Sequence, residues 1–248
     1  MRYFILTIAV LVLLMTGLSE GAGKKISEIG NKHNFSFGNL SANYRAENVE
    51  TNPLYPLSSQ ICVFCHTPHR SSSEGPLWNR KATTVSFFKH FSSPSLAIDD
   101  SSVRDFSEYG QPNGSTRLCL SCHDGVTALG AVFTTPMADA NVAISFVDIK
   151  GGRSGTNVAL AYQTFSSHHP VSFKYNATVR SILTSPPYSR AYHYLPPATG
   201  GARLDKQERV QCTTCHDPHQ DQSDSPNPMT PLWSGKNYLE ICNSCHNY

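Results

Sequence analysis

Cys62-Val63-Phe64-Cys65-His66, Cys119-Leu120-Ser121-Cys122-His123, Cys212-Thr213-Thr214-Cys215-His216 and Cys242-Asn243-Ser244-Cys245-His246 are four copies of one five-residue word, and they use all 8 cysteines of the 248-residue chain. C-x-x-C-H is the attachment signature of c-type haem: two thiols form thioethers to the porphyrin, and the adjacent imidazole becomes an axial ligand of the iron. C-x-x-C pairs also build zinc sites and redox disulfides, but neither needs a histidine after every second cysteine. Four covalently bound haem c groups are the expectation, with Cys62, Cys65, Cys119, Cys122, Cys212, Cys215, Cys242 and Cys245 as thioether residues and His66, His123, His216 and His246 as proximal ligands.

Outward from these words, the ends come first. Met1-Arg2, an apolar run from Tyr3 to Met15 and small residues at Ser19 and Gly21 read as a secretory signal over residues 1–21. The apolar run is short for a membrane span, and no later segment is long and apolar enough, so the mature chain is expected to carry no integral membrane segment. Export agrees with covalent haem attachment, which is completed outside the cytoplasm. The expected location is extracellular or at the cell surface, alternatively periplasmic.

About 227 residues then serve four haems, roughly 57 each, so the cofactors themselves supply the core. With 39% hydrophobic residues and 16 each of Gly and Pro, the expected fold is mostly irregular and haem-cored, with short helices and few strands. The formal charge of +2 becomes about −2 with four ferric haems and about −6 with four ferrous ones, once their propionates are added. No basic, aromatic-studded run points to nucleic acid.

The chain also repeats itself. His33-Asn34-Phe35-Ser36-Phe37 recurs as His169-Pro170-Val171-Ser172-Phe173, and CVFCHTPH from Cys62 to His69 recurs as CTTCHDPH from Cys212 to His219. Pro76-Leu77-Trp78 recurs as Pro231-Leu232-Trp233, and the seven residues from Arg117 to His123 match those from Glu240 to His246. Four landmarks in one order imply two fused dihaem modules, residues 22–150 and 151–248, joined as one haem-cored unit.

An iron that only carries electrons needs its sixth position filled. Of the seven remaining histidines, four stand at duplicated positions: His33 with His169 and His69 with His219. These are assigned as distal ligands, giving bis-His coordination at every iron. The plainer reading of His69 and His219 is a surface imidazole on a propionate, and that of His33 a residue near a mobile terminus. His168 competes with His169, which is chosen because it precedes Pro170 and aligns with His33. His90 and His193 read as packing or hydrogen-bonding residues, Met137 and Met229 are unmatched as ligands, and Trp78 and Trp233 read as aromatic packing beside a porphyrin.

The words KHNFS, ICVFCHTPH, PLWNR, LCLSCHDG, HPVSF, VQCTTCHDPH and ICNSCH together resemble the multihaem cytochromes, most closely the extracellular, filament-forming tetrahaem cytochromes of the OmcE type found in metal-reducing bacteria. The resemblance runs from about Gly30 to the end. It implies the same eight cysteines and eight histidines as haem residues, and a chain of closely packed haems continued through identical subunits. One distal ligand then comes from the adjacent subunit, with His69 the candidate and His33 the alternative. Implied partners are periplasmic or outer-membrane electron donors and extracellular electron acceptors. The expected role is electron transfer, not enzymatic catalysis. A monomeric periplasmic shuttle is the alternative, and a multihaem reductase would need an iron with an open sixth position.

Overall fold

The computed structural model describes residues 24–36, 38–39, 44–46, 61–69, 71–72, 75–83, 89–90, 112–124, 132, 146–148, 164–165, 169–186, 194–196, 201–222 and 232–246. The expected signal at residues 1–21, and His168, His193, Met137 and Met229, lie outside the described residues, as does the side chain of His90. Most of the described chain is irregular, as its Gly, Pro and Ser content implies. Among the described residues no helix is long and apolar enough to cross a membrane.

Three two-stranded sheets are present: β1 (Tyr44–Ala46) pairs antiparallel with β3 (Phe146–Asp148), β2 (Lys89–His90) parallel with β4 (Thr164–Phe165), and β5 (Phe173–Lys174) antiparallel with β6 (Arg209–Val210). The helices are α1 (Gly114–His123), α2 (Ala177–Thr184), α3 (Cys212–Cys215) and α4 (Tyr238–Asn243), preceded by a 3-10 turn at Cys62–Phe64. Each is short, and α2 and α4 are capped by an asparagine at the N-terminus. Asn176 Oδ1 accepts from Val179 N–H at 3.1 Å, and Asn237 Oδ1 from Glu240 N–H at 2.9 Å, satisfying donors that the first helical turn leaves open. Val179 and Leu183, four apart on α2, bury against Phe173, Tyr175 and Val210. This small apolar cluster also takes in Cys245 of the fourth word.

Contacts cross the boundary between residues 150 and 151. β2 pairs with β4, α1 packs on α3, and the N-terminal segment lies on the loop after the third word, where Ile26 N–H donates to His219 O at 2.6 Å. The packing of α1 on α3 needs Gly114, whose φ is +61° and whose added Cβ would sit 2.8 Å from Gln211 Nε2.

Candidate haem-binding site

Every C-x-x-C-H word starts on helical backbone: the 3-10 turn holds Cys62, α1 holds Cys119 and Cys122, α3 holds Cys212 and Cys215, and α4 holds Cys242. One helical turn brings two cysteines three apart to the same side. The histidine N–H then closes back on the first cysteine of the word: His66 on Cys62 O at 2.8 Å, His216 on Cys212 O at 3.0 Å and His246 on Cys242 O at 2.8 Å.

The first and third words share a frame beyond their own letters. Thr67 N–H donates to Leu77 O at 2.8 Å and Asp217 N–H to Leu232 O at 2.9 Å. Asn79 N–H reaches Cys65 O, and Ser234 N–H reaches Cys215 O, both at 2.9 Å. Ser72 N–H reaches Trp78 O at 2.8 Å, and Gln222 N–H reaches Trp233 O at 2.9 Å. His66 therefore bridges to Trp78 in the same register as His216 to Trp233. The repeated P-L-W letters serve this frame: each tryptophan backbone returns to its word, with the indole against the proximal ring. Trp78 meets His66 edge-on at 5.7 Å between ring centres, and Trp233 stacks on His216 at 4.9 Å.

The histidines pair across the chain. Ring centres of His66 and His219 are 6.0 Å apart, those of His123 and His33 6.1 Å, and those of His246 and His169 6.3 Å. Imidazole-to-metal bonds of about 2 Å, plus about 1 Å from each nitrogen to its ring centre, put two rings about 6 Å apart when one metal lies between them. Three expected proximal ligands thus lie opposite three expected distal ligands at the separation that bis-His iron would require. The pairs leave His216 and His69. His216 lies against Trp233, and His69 is exposed, its N–H donating to Thr67 Oγ1 at 3.4 Å while Thr67 Oγ1 donates to His69 O at 2.7 Å.

Backbone carbonyls orient these imidazoles. His33 Nδ1 donates to Pro218 O at 3.2 Å and His169 Nδ1 to Pro170 O at 2.8 Å; a carbonyl can only accept, so Nε2 of each is the nitrogen left for a metal. His66 donates to the Leu77 carbonyl and His216 to the Leu232 carbonyl. Burial holds His66, His123 and His216 below the ordinary histidine value. Burial, then the neighbouring His123, pushes His33 down to about 4. Neutral imidazole is the form that binds metal.

Several sulfurs are held uncharged, although the hydrogen bond from Cys119 moves Cys212 the other way. Burial pushes Cys65 and Cys215 up to about 12 and Cys245 up to about 11. Such surroundings suit a neutral thioether better than the thiolate a zinc site demands. Among the described residues no group of three or more His, Cys, Asp or Glu converges to hold a metal ion. The eight cysteines form no disulfide. Cys119 donates to Cys212 sulfur to sulfur, Cys65 lies within reach of the charge of Cys122, and Cys215 within that of Cys242 and Cys245. The words are therefore neighbours in chain order, first to second to third to fourth. The residues present fit haem c in the thioether positions of all four words and in paired axial positions at three of them.

Two supporting sets of residues were not foreseen from the sequence. Asn39 Nδ2 donates to Asn31 O at 3.0 Å and Asn34 O at 2.8 Å, while Asn31 Oδ1 accepts from His33 N–H at 2.9 Å, so a buried asparagine cage fixes His33. Between α1 and α3, Thr116 Oγ1 donates to Gln211 Oε1 at 2.6 Å and accepts from Cys212 N–H at 3.0 Å. The asparagine-rich letters 31–39 carried a turn signal; Thr116 and Gln211 carried none. No protein-family model matches this chain, and no curated protein matches it.

Proposed function

We propose that the chain is an exported tetrahaem c-type cytochrome that carries electrons along closely packed bis-His haems as the subunit of an extracellular filament. The observation that carries this reading is the set of three histidine pairs at 6.0 to 6.3 Å, each joining the last residue of a C-x-x-C-H word to one of the histidines expected as distal ligands. Haem c bound at the words supplies one-electron chemistry at its iron. The polypeptide supplies everything else: eight sulfurs to fix the groups, imidazoles of which His33, His66, His123 and His216 are held neutral by burial, and an indole packed on each of His66 and His216.

Two fused dihaem modules, 22–150 and 151–248, remain the proposed organisation, supported by the hydrogen-bond frame common to the first and third words. The halves exchange a ligand in this arrangement, since His219 of the second faces His66 of the first. His69 is kept as the candidate cross-subunit ligand on the resemblance and on its exposure. Neighbouring sulfurs along the chain support a continuous row, with donors in the periplasm or outer membrane at one end and extracellular acceptors at the other.

The test is direct. Intact-protein mass and the pyridine haemochrome spectrum of the exported protein should give four covalent haems. Electron paramagnetic resonance should show only low-spin ferric iron, and microscopy of sheared extracellular material should show haem-stained filaments that vanish on gene deletion. A stoichiometric high-spin iron would revive the reductase, and a haem stain confined to a soluble periplasmic particle would leave the shuttle.

A further inference from the structure

The two halves repeat one hydrogen-bond frame but not one charge. Asn79 N–H on Cys65 O corresponds to Ser234 N–H on Cys215 O, and the residues that follow are Arg80 and Gly235. Arg80 is 1% exposed, and its Nη2 donates at 3.2 Å to the carbonyl of Ser121, the residue before Cys122. It thus sits between the first and second words. Gly235 has no side chain, and a Cβ added there would lie 3.0 Å from Glu240 Oε2 and 3.2 Å from Ile241 Cγ1. Glu240 occupies the place before the fourth word that Arg117 occupies before the second.

A guanidinium stays charged at any pH the protein meets, so Arg80 is a permanent buried cation. Its charge reaches Cys65, Cys122 and His123. The buried Asp124 carboxylate, which accepts from Thr83 Oγ1 at 2.6 Å, faces Cys122 and His123 and offsets Arg80 there. Arg80 therefore stands between the first and second words, while the matched position beside the third word, Gly235, carries no side chain. At the third word, the charges that act on Cys215 are those of neighbouring cysteines.

We propose that Arg80 sets the electrical direction of the row, its buried charge raising the reduction potential of the haem attached at Cys62 and Cys65 above that of the haem attached at Cys212 and Cys215. A fixed positive charge in a medium of low dielectric favours ferrous iron, which carries one positive charge fewer than ferric. One electron leaves ferrous iron at the third word and reduces ferric iron at the first, so electrons are drawn from the second half towards the first. The inference rests on the tetrahaem reading.

The experiment uses the full-length holoprotein and its R80Q and R80K variants. Haem is counted first, by mass and pyridine haemochrome: fewer than four covalent haems in the wild type sinks the tetrahaem reading itself and leaves the charge argument without an object. With four haems present, redox titration is followed by nuclear magnetic resonance, the first-word haem being assigned through Trp78 and the third-word haem through Trp233. The wild type should show the first above the third. R80Q should lower the reduction equilibrium at the first word roughly tenfold, about 59 mV for one electron, with the third unchanged. R80K should stay close to the wild type. An unmoved first-word potential in R80Q, an equal shift at both words, or a lysine variant that shifts as far as the glutamine one overturns the proposal. Should R80Q fail to mature, the wild type alone decides, because a first-word potential at or below that of the third contradicts it.

Discussion

The pairing of His66 with His219 predicts what His219→Ala does. The ring of His219 is exposed and only 3.9 Å from Asp217 Oδ1, while its backbone N–H donates to that same oxygen at 2.8 Å, a bond that alanine keeps. The cost to folding should then be that of a surface substitution, within about 0.5 kcal/mol. The effect on iron is all or none. One of the four words loses its sixth ligand, so a quarter of the haem should turn high-spin in the oxidised protein and bind carbon monoxide after reduction, without loss of covalent haem. The altered haem should be the one that shows contacts with Trp78, because Trp78 lies against His66. His33→Ala should also open a quarter of the haem, but at the second word and with a stability loss of about 1–3 kcal/mol, since it leaves the Pro218 carbonyl without its donor. Electronic and paramagnetic resonance spectra read the spin state, and carbon monoxide difference spectra read the open site. A His219→Ala protein whose irons all stay six-coordinate, or whose open haem lies beside Trp233, would refute the pairing.

On the filament reading, His69→Ala should keep four covalent haems per chain yet abolish filaments in sheared extracellular material; normal filaments in that strain would remove His69 from the interface. Thr116→Val should destabilise the holoprotein by about 1–3 kcal/mol in urea unfolding, because it strands Cys212 N–H between α1 and α3 and removes the shortest of the bonds to Gln211 Oε1; a change under about 0.5 kcal/mol would show that junction to be loose. Tyr175 gives a pH test. Burial, then the Cys245 charge, pushes its phenol up to about 12, and its O–H donates to Tyr194 O at 2.9 Å. The folded value lies above the unfolded value near 10, so this stability is complete below about pH 10 and is lost as pH rises towards 12, by at most about 2–3 kcal/mol. Tyr175→Phe should flatten that alkaline slope, and an unchanged slope in the variant would assign it to other groups.

The candidate haem residues could be read from the sequence and the pairing of the histidines could not, for a physical reason. Haem attachment fixes residue types at spacings of one to three, so Cys62, Cys65 and His66 identify themselves wherever they fold. The partner of His66 is set by the route of the chain over more than 150 residues, and the sequence contains four equivalent proximal words and four candidate partners. The same holds for the small sheets. Strands of two or three residues, such as β2 and β4, are too short to show a period. Arg80 illustrates a signal that was present but unread. The letters after each P-L-W, Asn79-Arg80 against Ser234-Gly235, differ in charge at a point where the backbones coincide, and only the matched hydrogen bonds give that difference a place.

On the tetrahaem reading, the carbonyl partners of the histidines bear on rate as well as on binding. His33 donates to Pro218, His169 to Pro170, His66 to Leu77 and His216 to Leu232, and each acceptor belongs to the backbone and not to a mobile side chain. His33 is held at two points, its ring by the Pro218 carbonyl and its backbone N–H by Asn31 of the asparagine cage. An imidazole so restrained keeps its tautomer and orientation whether the iron is ferric or ferrous. Little nuclear movement then accompanies each change of charge, and a preorganised surrounding of this kind costs little to reorganise when the charge moves. His219 is restrained differently. Its ring has a carboxylate at 3.9 Å and is exposed, as is His66 opposite it. On this reading solvent and an external acceptor can reach the axial ligands of the first word directly, and an electron drawn there can leave without crossing buried polypeptide.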